Sequence, residues 1–172
     1  GLHTGRHVRL NLAPAQAGSG LRFVRSDLGR EIPARVESLS RLDHATRLTS
    51  GEASVETVEH LLSALYALGV DDARIELDGP EVPILDGSAS PFVYLLQTAG
   101  IEEQRAPKRF FRIRKAVEVR DGDKWARFDP FDGFRVSFSI VFDHAVFERS
   151  SQSLTLDFAE TSYAKEVARA RT

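Results

Sequence analysis

The spacing of apolar residues in this chain switches between the two-residue period of β-strands and the longer period of α-helices, and this switching limits the folds open to it. Short segments at strand spacing are residues 6–12, 21–25, 32–39 and 73–77. A helix is predicted over residues 55–68, with Ser54 as its N-cap and Gly69 as its stop. The apolar residues at helical spacing are Val58, Leu61, Leu62, Leu65 and Leu68. Both halves of the chain run from strands to helix, and an α+β fold is expected.

A Gly- and Pro-rich loop over residues 78–88 follows the strand at 73–77. Ser90 followed by Pro91 is typical of a helix start, with Ser90 as the predicted N-cap, and Gly100 is typical of a helix end. The loop contains no phosphate-binding sequence of the Walker or dinucleotide type, so its simplest interpretation is a rigid turn into the second helix.

The polar residues 102–109 predict a linker between a first domain, residues 1–101, and a second domain, residues 110–172. Strands are predicted in the second domain over residues 111–117, 134–142 and 154–158, with hairpin turns at Asp121-Gly122 and Asp132-Gly133 and a helix over 162–172. The second domain is therefore expected to begin as an antiparallel meander.

Composition excludes several classes of function. The 172 residues contain 23 Lys and Arg against 25 Asp and Glu, so no strong net charge indicates nucleic acid or an anionic membrane as a partner. Because there is no cysteine, disulfides and thiolate metal sites are excluded, and His, Asp and Glu are the available metal ligands. No apolar run is long enough to span a membrane, and a cytoplasmic location is expected.

The pair Glu59-His60 is the sharpest chemical feature, and it has two interpretations. On a helical wheel both side chains lie away from the apolar face, so they could form an ordinary solvated surface. Alternatively His60 is one metal ligand, although a single imidazole cannot hold zinc and no second His follows one helical turn later. Neither His3 with His7 nor His44 is assigned a ligand role from spacing. His144 is not assigned one either.

Four stretches together resemble the UDP-3-O-acyl-N-acetylglucosamine deacetylase family of lipid A synthesis, and the resemblance runs over essentially the whole chain. They are Gly1-Leu-His-Thr-Gly, Thr57-Val-Glu-His-Leu, Glu81-Val-Pro-Ile-Leu-Asp-Gly-Ser-Ala-Ser-Pro-Phe and Ala168-Arg-Ala-Arg-Thr172. The resemblance implies two similar domains, each a mainly antiparallel sheet layered with helices in the manner of ribosomal S5 domain 2. It also implies that the second domain is incomplete here and that the chain is truncated at both ends.

The resemblance further implies the site residues. His60 would be a zinc ligand, with a His and an Asp from beyond Thr172 as the others, and Glu59 would be the general base. Thr172 would stabilise the oxyanion. Lys124 and Phe142 would bind the nucleotide end of the substrate, through the diphosphate and the base respectively.

Leu2 and His3 match residues at the mouth of the active site, where Leu2 would contact substrate and His3 has no firm role. The implied function is zinc-dependent removal of the N-acetyl group of the UDP-linked sugar, releasing acetate, with this fragment inactive alone. The alternative is a non-catalytic sugar-nucleotide or protein-binding module in which Glu59 and His60 are only a polar helix face. A monomer is favoured, and peripheral membrane association stays open.

Overall fold

The computed structural model describes residues 1–141 and 152–171. The chain forms two compact units, one of Gly1–Lys108 together with the C-terminal segment from Ala164, and the other of Arg109–Tyr163. Helices and mainly antiparallel sheets make up both the first unit and the chain as a whole, which confirms the predicted α+β class. The predicted domain limits 1–101, 102–109 and 110–172, and the S5-like label, stay predictions.

The first unit contains seven strands and two α-helices within residues 1–108. The strands are β1 Leu10–Pro14, β2 Leu21–Arg25, β3 Arg30–Pro33, β4 Leu39–Arg41, β5 Arg47–Ser50, β6 Ala53–Glu56 and β7 Ala73–Leu77. The helices are α1 Glu59–Ala67 and α2 Ser90–Ala99, and a short 3-10 helix spans Val36–Ser38.

Two sheets organise these strands. The first has the order β1-β7-β2-β3, in which β7 pairs parallel with β2 and the outer pairs are antiparallel. The second is an antiparallel sheet in the order β4-β5-β6. Residues of β7 alternate between buried and partly exposed, as the sequence predicts for a strand with one face in the core.

The core of the first unit is built from the inward side chains of the sheets and the apolar faces of both helices. Its fully buried large apolar residues are Phe23, Ile32, Val55, Val58, Leu61, Leu65, Ile75, Leu77 and Val82. Of the apolar residues predicted at helical spacing, Leu62 and Leu68 are only half-buried. The helix ends where predicted: Gly69 has φ 74°, and Val70 N donates to Leu65 O at 2.9 Å, the pattern of a glycine-terminated helix.

The predicted start of the first helix is wrong. Ser54 is not its N-cap and Val55 is not helical, because both lie in β6, where Val55 pairs with Leu48 of β5. The helix begins at Glu59. Apolar residues at 55 and 58 suit a helix, but alternation of Ala53 and Val55 also suits a strand, and pairing with β5 decides between them.

Three other boundaries also differ from prediction. The first strand lies at Leu10–Pro14 rather than 6–12, and the segment 32–39 is interrupted after Pro33 by the 3-10 helix. Proline lacks the N–H that would continue a sheet ladder, which explains the second break. Ser90 is the first residue of α2 and its N-cap is Ala89, one residue earlier than predicted.

The second unit contains two antiparallel strand pairs among its described residues. They are β8 Val117–Asp121 with β9 Lys124–Phe128, and β10 Arg135–Ser139 with β11 Ser153–Asp157. The Asp121-Gly122 hairpin is confirmed, with Gly122 at φ 61°. The Asp132-Gly133 hairpin is wrong, since β9 and β10 are not paired with each other, and the strand predicted from residue 111 begins at Val117.

The predicted helix over 162–172 is also too long. The described helix α3 covers only Tyr163–Glu166. No helix within residues 1–141 and 152–171 combines the length and apolar character required to cross a bilayer.

Candidate active site

Glu59 and His60 occupy the first turn of α1, where both side chains are half-buried. Oε2 of Glu59 accepts a 3.3 Å hydrogen bond from the backbone N–H of Thr46, in the segment that leads into β5. A carboxylate in the first helical turn also interacts favourably with the helix dipole. The fold therefore places an oriented carboxylate and an imidazole on consecutive residues of the first helical turn, each partly accessible to solvent.

Thr57 connects β6 to α1 in a backbone conformation that is unusual for its residue type. Its φ is +57°, in the left-handed region that β-branched residues rarely adopt. Such a conformation costs of order 1–3 kcal/mol and persists only where surrounding contacts enforce it. The strained residue lies two positions before Glu59, so it sets the direction in which α1 leaves the sheet.

Glu81 supplies the contact that holds Thr57. Its side chain is fully buried, and Oε1 accepts hydrogen bonds from His3 N at 2.9 Å and from Thr57 Oγ1 at 3.2 Å. Oε2 accepts bonds from Thr4 N at 2.8 Å and Thr4 Oγ1 at 2.7 Å. Burial alone would raise the pKa of this carboxyl, but the four hydrogen bonds outweigh it and lower the pKa to about 2. Glu81 is therefore an ionised, buried anchor.

An open pocket of about 200 Å³ lies along residues 43–47, the segment whose Thr46 N–H donates to Glu59. It is lined by His3, Asp43, His44, Ala45, Arg47 and Glu56. Arg47 forms an ion pair with Glu56 in this wall. Thr46 lies between the lining residues Ala45 and Arg47, and its N–H donates to Glu59. The segment that forms part of the pocket wall therefore also orients the Glu59 carboxylate.

The C-terminal segment is fixed to the loop before α2. Ser90 N donates to Ala168 O at 2.9 Å, and Ala168 is almost fully buried. Arg171 Nη2 lies 3.5 Å from Asp86 Oδ2, while Asp86 Oδ1 accepts bonds from Ser88 Oγ at 2.7 Å and Ser88 N at 3.0 Å. The Ser88 hydroxyl, chiefly, and the Arg171 charge lower the pKa of Asp86.

The remaining predicted site residues are placed as follows. Leu2 is exposed in the turn closed by the Gly5 N to Gly1 O hydrogen bond. Lys124 is exposed at the first position of β9, in the second unit. Phe142 and Thr172 lie outside the described residues, so their roles stay predictions.

The family model for UDP-3-O-acyl N-acetylglycosamine deacetylase, LpxC, matches residues 1–172. This chain belongs to the LpxC family. Among LpxC relatives, the UDP-3-O-acyl-N-acetylglucosamine deacetylases of Methylococcus capsulatus, Acidithiobacillus ferrooxidans and Pseudomonas entomophila are 52%, 53% and 55% identical to it. Each comparison covers 100% of this chain and 57% of the relative, so the chain spans little more than half the length of these deacetylases.

The donor set of this LpxC chain fits one position of a metal site. His60 offers a half-buried imidazole in the first turn of α1. No group of three His, Cys, Asp or Glu side chains able to hold a metal ion occurs among the described residues. Because catalytic zinc takes three protein ligands, the described part of the chain does not complete such a site.

Sequence reasoning missed Glu81, Thr57 and Thr46 as parts of the site. Glu81 could have been found from the sequence. A carboxylate between Pro80 and Val82, in a rigid and largely apolar loop, is in an unusual position for a residue that faces solvent. The left-handed Thr57 left no signal, because that conformation favours Gly or Asn in sequence statistics. Thr46 contributes through its backbone, which any residue supplies.

Proposed function

We propose that this chain forms part of an enzyme that hydrolyses the N-acetyl group of UDP-3-O-acyl-N-acetylglucosamine and releases acetate, the committed step of lipid A biosynthesis. The observation that carries the proposal is the adjacency of Glu59 and His60 at a helix start, both half-buried, in a chain of the LpxC family. The names of the relatives, which are all deacetylases acting on this substrate, support it.

His60 is proposed as one ligand of a zinc ion whose other ligands are a His and an Asp from a segment beyond Thr172. The length of the relatives leaves room for such a segment. When bound, zinc would polarise the amide carbonyl and lower the pKa of a water molecule. The position of His60 in the first turn of α1, next to Glu59, supports its assignment as the ligand from this chain.

Glu59 is proposed as the general base. Its carboxylate removes a proton from the attacking water as the oxygen bonds to the acetyl carbon, and it passes that proton to the sugar nitrogen as the C–N bond breaks. The products are acetate and the free amine. The Thr46 N–H bond to Oε2 favours one orientation of the carboxylate, and Oε1 is the oxygen assigned to the water.

Residues in other parts of the chain are proposed to bind the substrate. The Thr172 hydroxyl would donate to the oxygen on which charge develops. The Lys124 ammonium would contact the diphosphate and the Phe142 ring would stack on the base, while Leu2 would contact substrate at the site entrance. A cytoplasmic location and a monomeric state complete the proposal.

The proposal is tested on the chain produced together with the remainder of the protein, at the length of its relatives. His60→Ala is expected to lose both bound zinc and deacetylation. His7→Ala is the matched control, because His7 is exposed in the N-terminal loop and has no assigned role. If His60→Ala retains zinc and activity, His60 is not a ligand and the pair Glu59-His60 is a surface feature. If the unmodified full-length protein shows neither bound zinc nor deacetylation, the binding-module alternative replaces the enzyme.

A further inference from the structure

The carboxylate of Glu81 gathers two separate segments of the chain. One is the N-terminal turn, through the backbone N–H groups of His3 and Thr4 and the Thr4 hydroxyl. The other is the junction of β6 and α1, through the hydroxyl of Thr57. Each oxygen accepts two hydrogen bonds, and all four donors are neutral groups. The carboxylate therefore joins the two segments by hydrogen bonds rather than by an ion pair.

The backbone on either side of Glu81 is fixed independently of the side chain. Glu56 N donates to Pro80 O at 2.9 Å and Val82 N donates to Glu56 O at 3.0 Å, which makes a parallel bridge between Glu56 and Glu81. The main chain of Glu81 is therefore fixed to Glu56, the last residue of β6. Because Thr57 directly follows Glu56, the length of the Glu81 side chain limits where the Thr57 hydroxyl can lie.

Thr57 transmits this position to the helix. Its left-handed φ of +57° turns the chain out of β6, and the first helical hydrogen bond, from Leu62 N to Val58 O at 2.9 Å, forms immediately afterwards. An alternative backbone angle at Thr57 would rotate the first turn of α1 and displace Glu59 and His60 together. The Glu81–Thr57 hydrogen bond is made by the Thr57 side chain in this conformation.

We propose that Glu81 is a positioning residue for the proposed catalytic pair, holding Glu59 and His60 in place through Thr57 while it also fixes the N-terminal turn through His3 and Thr4. This inference rests on the proposed function, because it takes Glu59 as the base and His60 as the metal ligand. It adds a residue that touches neither substrate nor metal and acts on the site through one strained junction.

Glu81→Gln is the sharpest substitution, because it preserves size and removes one acceptor. Whichever way the amide is oriented, its NH2 group faces one backbone N–H, that of His3 or that of Thr4. A backbone N–H cannot accept a hydrogen bond, so one of these two bonds is lost. We expect kcat to fall by about 10- to 100-fold with KM within about threefold, and the zinc affinity to fall about tenfold, as for residues that support metal ligands. Glu31→Gln, which alters an exposed carboxylate bound to Arg74, is the matched control.

Thr57 supplies the second test, and it decides the question if Glu81→Gln does not fold. Thr57→Val keeps the branched shape but loses the hydroxyl, and is expected to lower kcat and zinc affinity in the same direction. Thr57→Ser retains the hydroxyl and is expected to restore both to within about twofold of the parent, which a merely structural loss would not do. Thr49→Val, which removes a hydroxyl from β5, is the control.

All variants are made in the full-length protein, with zinc affinity measured by competition against a chelating dye and kcat and KM by acetate release. A double variant Glu81→Gln/Thr57→Val whose kcat loss is smaller than the product of the single losses supports action through Thr57. Parental kcat and zinc affinity in Thr57→Val, and in Glu81→Gln where it folds, overturn the inference. That outcome leaves the proposed function intact if the parent protein still releases acetate and His60→Ala abolishes zinc binding, whereas a parent protein with neither bound zinc nor acetate release overturns the proposed function itself.

Discussion

The hydroxyl of Thr57 donates a 3.2 Å hydrogen bond to Oε1 of Glu81, a residue 24 positions later in the sequence. The bond joins a strained backbone turn to a fully buried charge. Each feature alone destabilises the folded chain, and together they are compatible because the carboxylate needs donors and the turn needs an external contact to enforce it.

Stability in acid should report on Glu81. Its folded pKa of about 2 lies below the ordinary value of 4.5, so its contribution to stability is complete above about pH 5 and is lost as the pH falls towards 2. The contribution is of order 3 kcal/mol at neutral pH. In urea unfolding, the deficit of Glu81→Gln relative to the parent should be large at pH 7 and should shrink towards pH 2.5. A deficit that is the same at both values would contradict the assignment.

Arg25 should matter for stability far more than its neighbour Arg22. Arg25 is buried in β2. Its Nε and Nη2 donate to the Asp27 carboxylate at 2.9 and 2.7 Å, and its Nη1 donates to Ser54 O of β6 at 2.7 Å. Arg25→Met keeps a similar length but leaves the Ser54 carbonyl without this donor, and should lower the unfolding free energy by about 2–3 kcal/mol.

Arg22→Met is the control for Arg25→Met. The Arg22 side chain is 40% exposed, its Nε donates to Ser19 O at 3.1 Å near solvent and its contact with Glu31 is 3.6 Å. Because water can replace these partners, the expected loss is below about 1 kcal/mol. Urea unfolding of the two variants at pH 7 makes the comparison. Equal losses would show that the link from Arg25 to β6 adds nothing.

A glycine at position 85 should stabilise the chain. Leu85 is about half exposed and has φ 53°, a conformation that costs a non-glycine residue roughly 1–2 kcal/mol. Leu85→Gly removes that strain but adds freedom to the unfolded chain, so a net gain of up to about 1 kcal/mol is expected. Leu28→Gly, at a similarly exposed turn residue without a positive φ, should instead destabilise, and thermal unfolding that ranks the two in the reverse order would refute the prediction.

The parts of the fold that sequence predicts well are those whose burial is set locally. Strands β2 and β7 have the predicted limits. In β7 the alternation of apolar and polar residues matches the alternation of burial, whereas β2 buries its last three residues, Phe23, Val24 and Arg25. The pair β5 and β6 was missed because each has only four residues, and its pairing across Gly51 competes with a helical pattern beginning at Val55. Local periodicity cannot decide that competition.

The residues of the candidate site also differ in whether the sequence alone reveals them. Glu59 and His60 are adjacent in sequence and stand out as a motif, whereas the donors to Glu81 from His3 and Thr4 are 78 and 77 residues away. Contacts at such separations depend on the completed fold. A buried carboxylate in a proline-flanked loop signals that donors exist, but the sequence does not say which segment provides them.

Substrate binding should depend on Lys124 through charge. Lys124 is exposed at the start of β9, where an ammonium group is available to a diphosphate. In the full-length protein, Lys124→Ala should raise KM about tenfold with kcat nearly unchanged, and the difference should diminish at high salt because exposed charges are screened. Lys115→Ala, an exposed charge in the same unit, should leave KM unchanged; if both variants alter KM equally, the effect is one of general charge and the assignment of Lys124 fails.

The 172-residue chain alone should not deacetylate the substrate, even with zinc supplied. Its described residues provide His60 but no group of three metal-binding side chains, and a single imidazole holds zinc too weakly for catalysis. Its second unit also exposes large apolar side chains, among them Trp125 and Phe138, which favour self-association of the isolated chain. Acetate release and bound zinc should both be undetectable for the fragment and present for the full-length protein at equal concentration. Sustained acetate release by the fragment, abolished by Glu59→Gln, would show that these residues suffice.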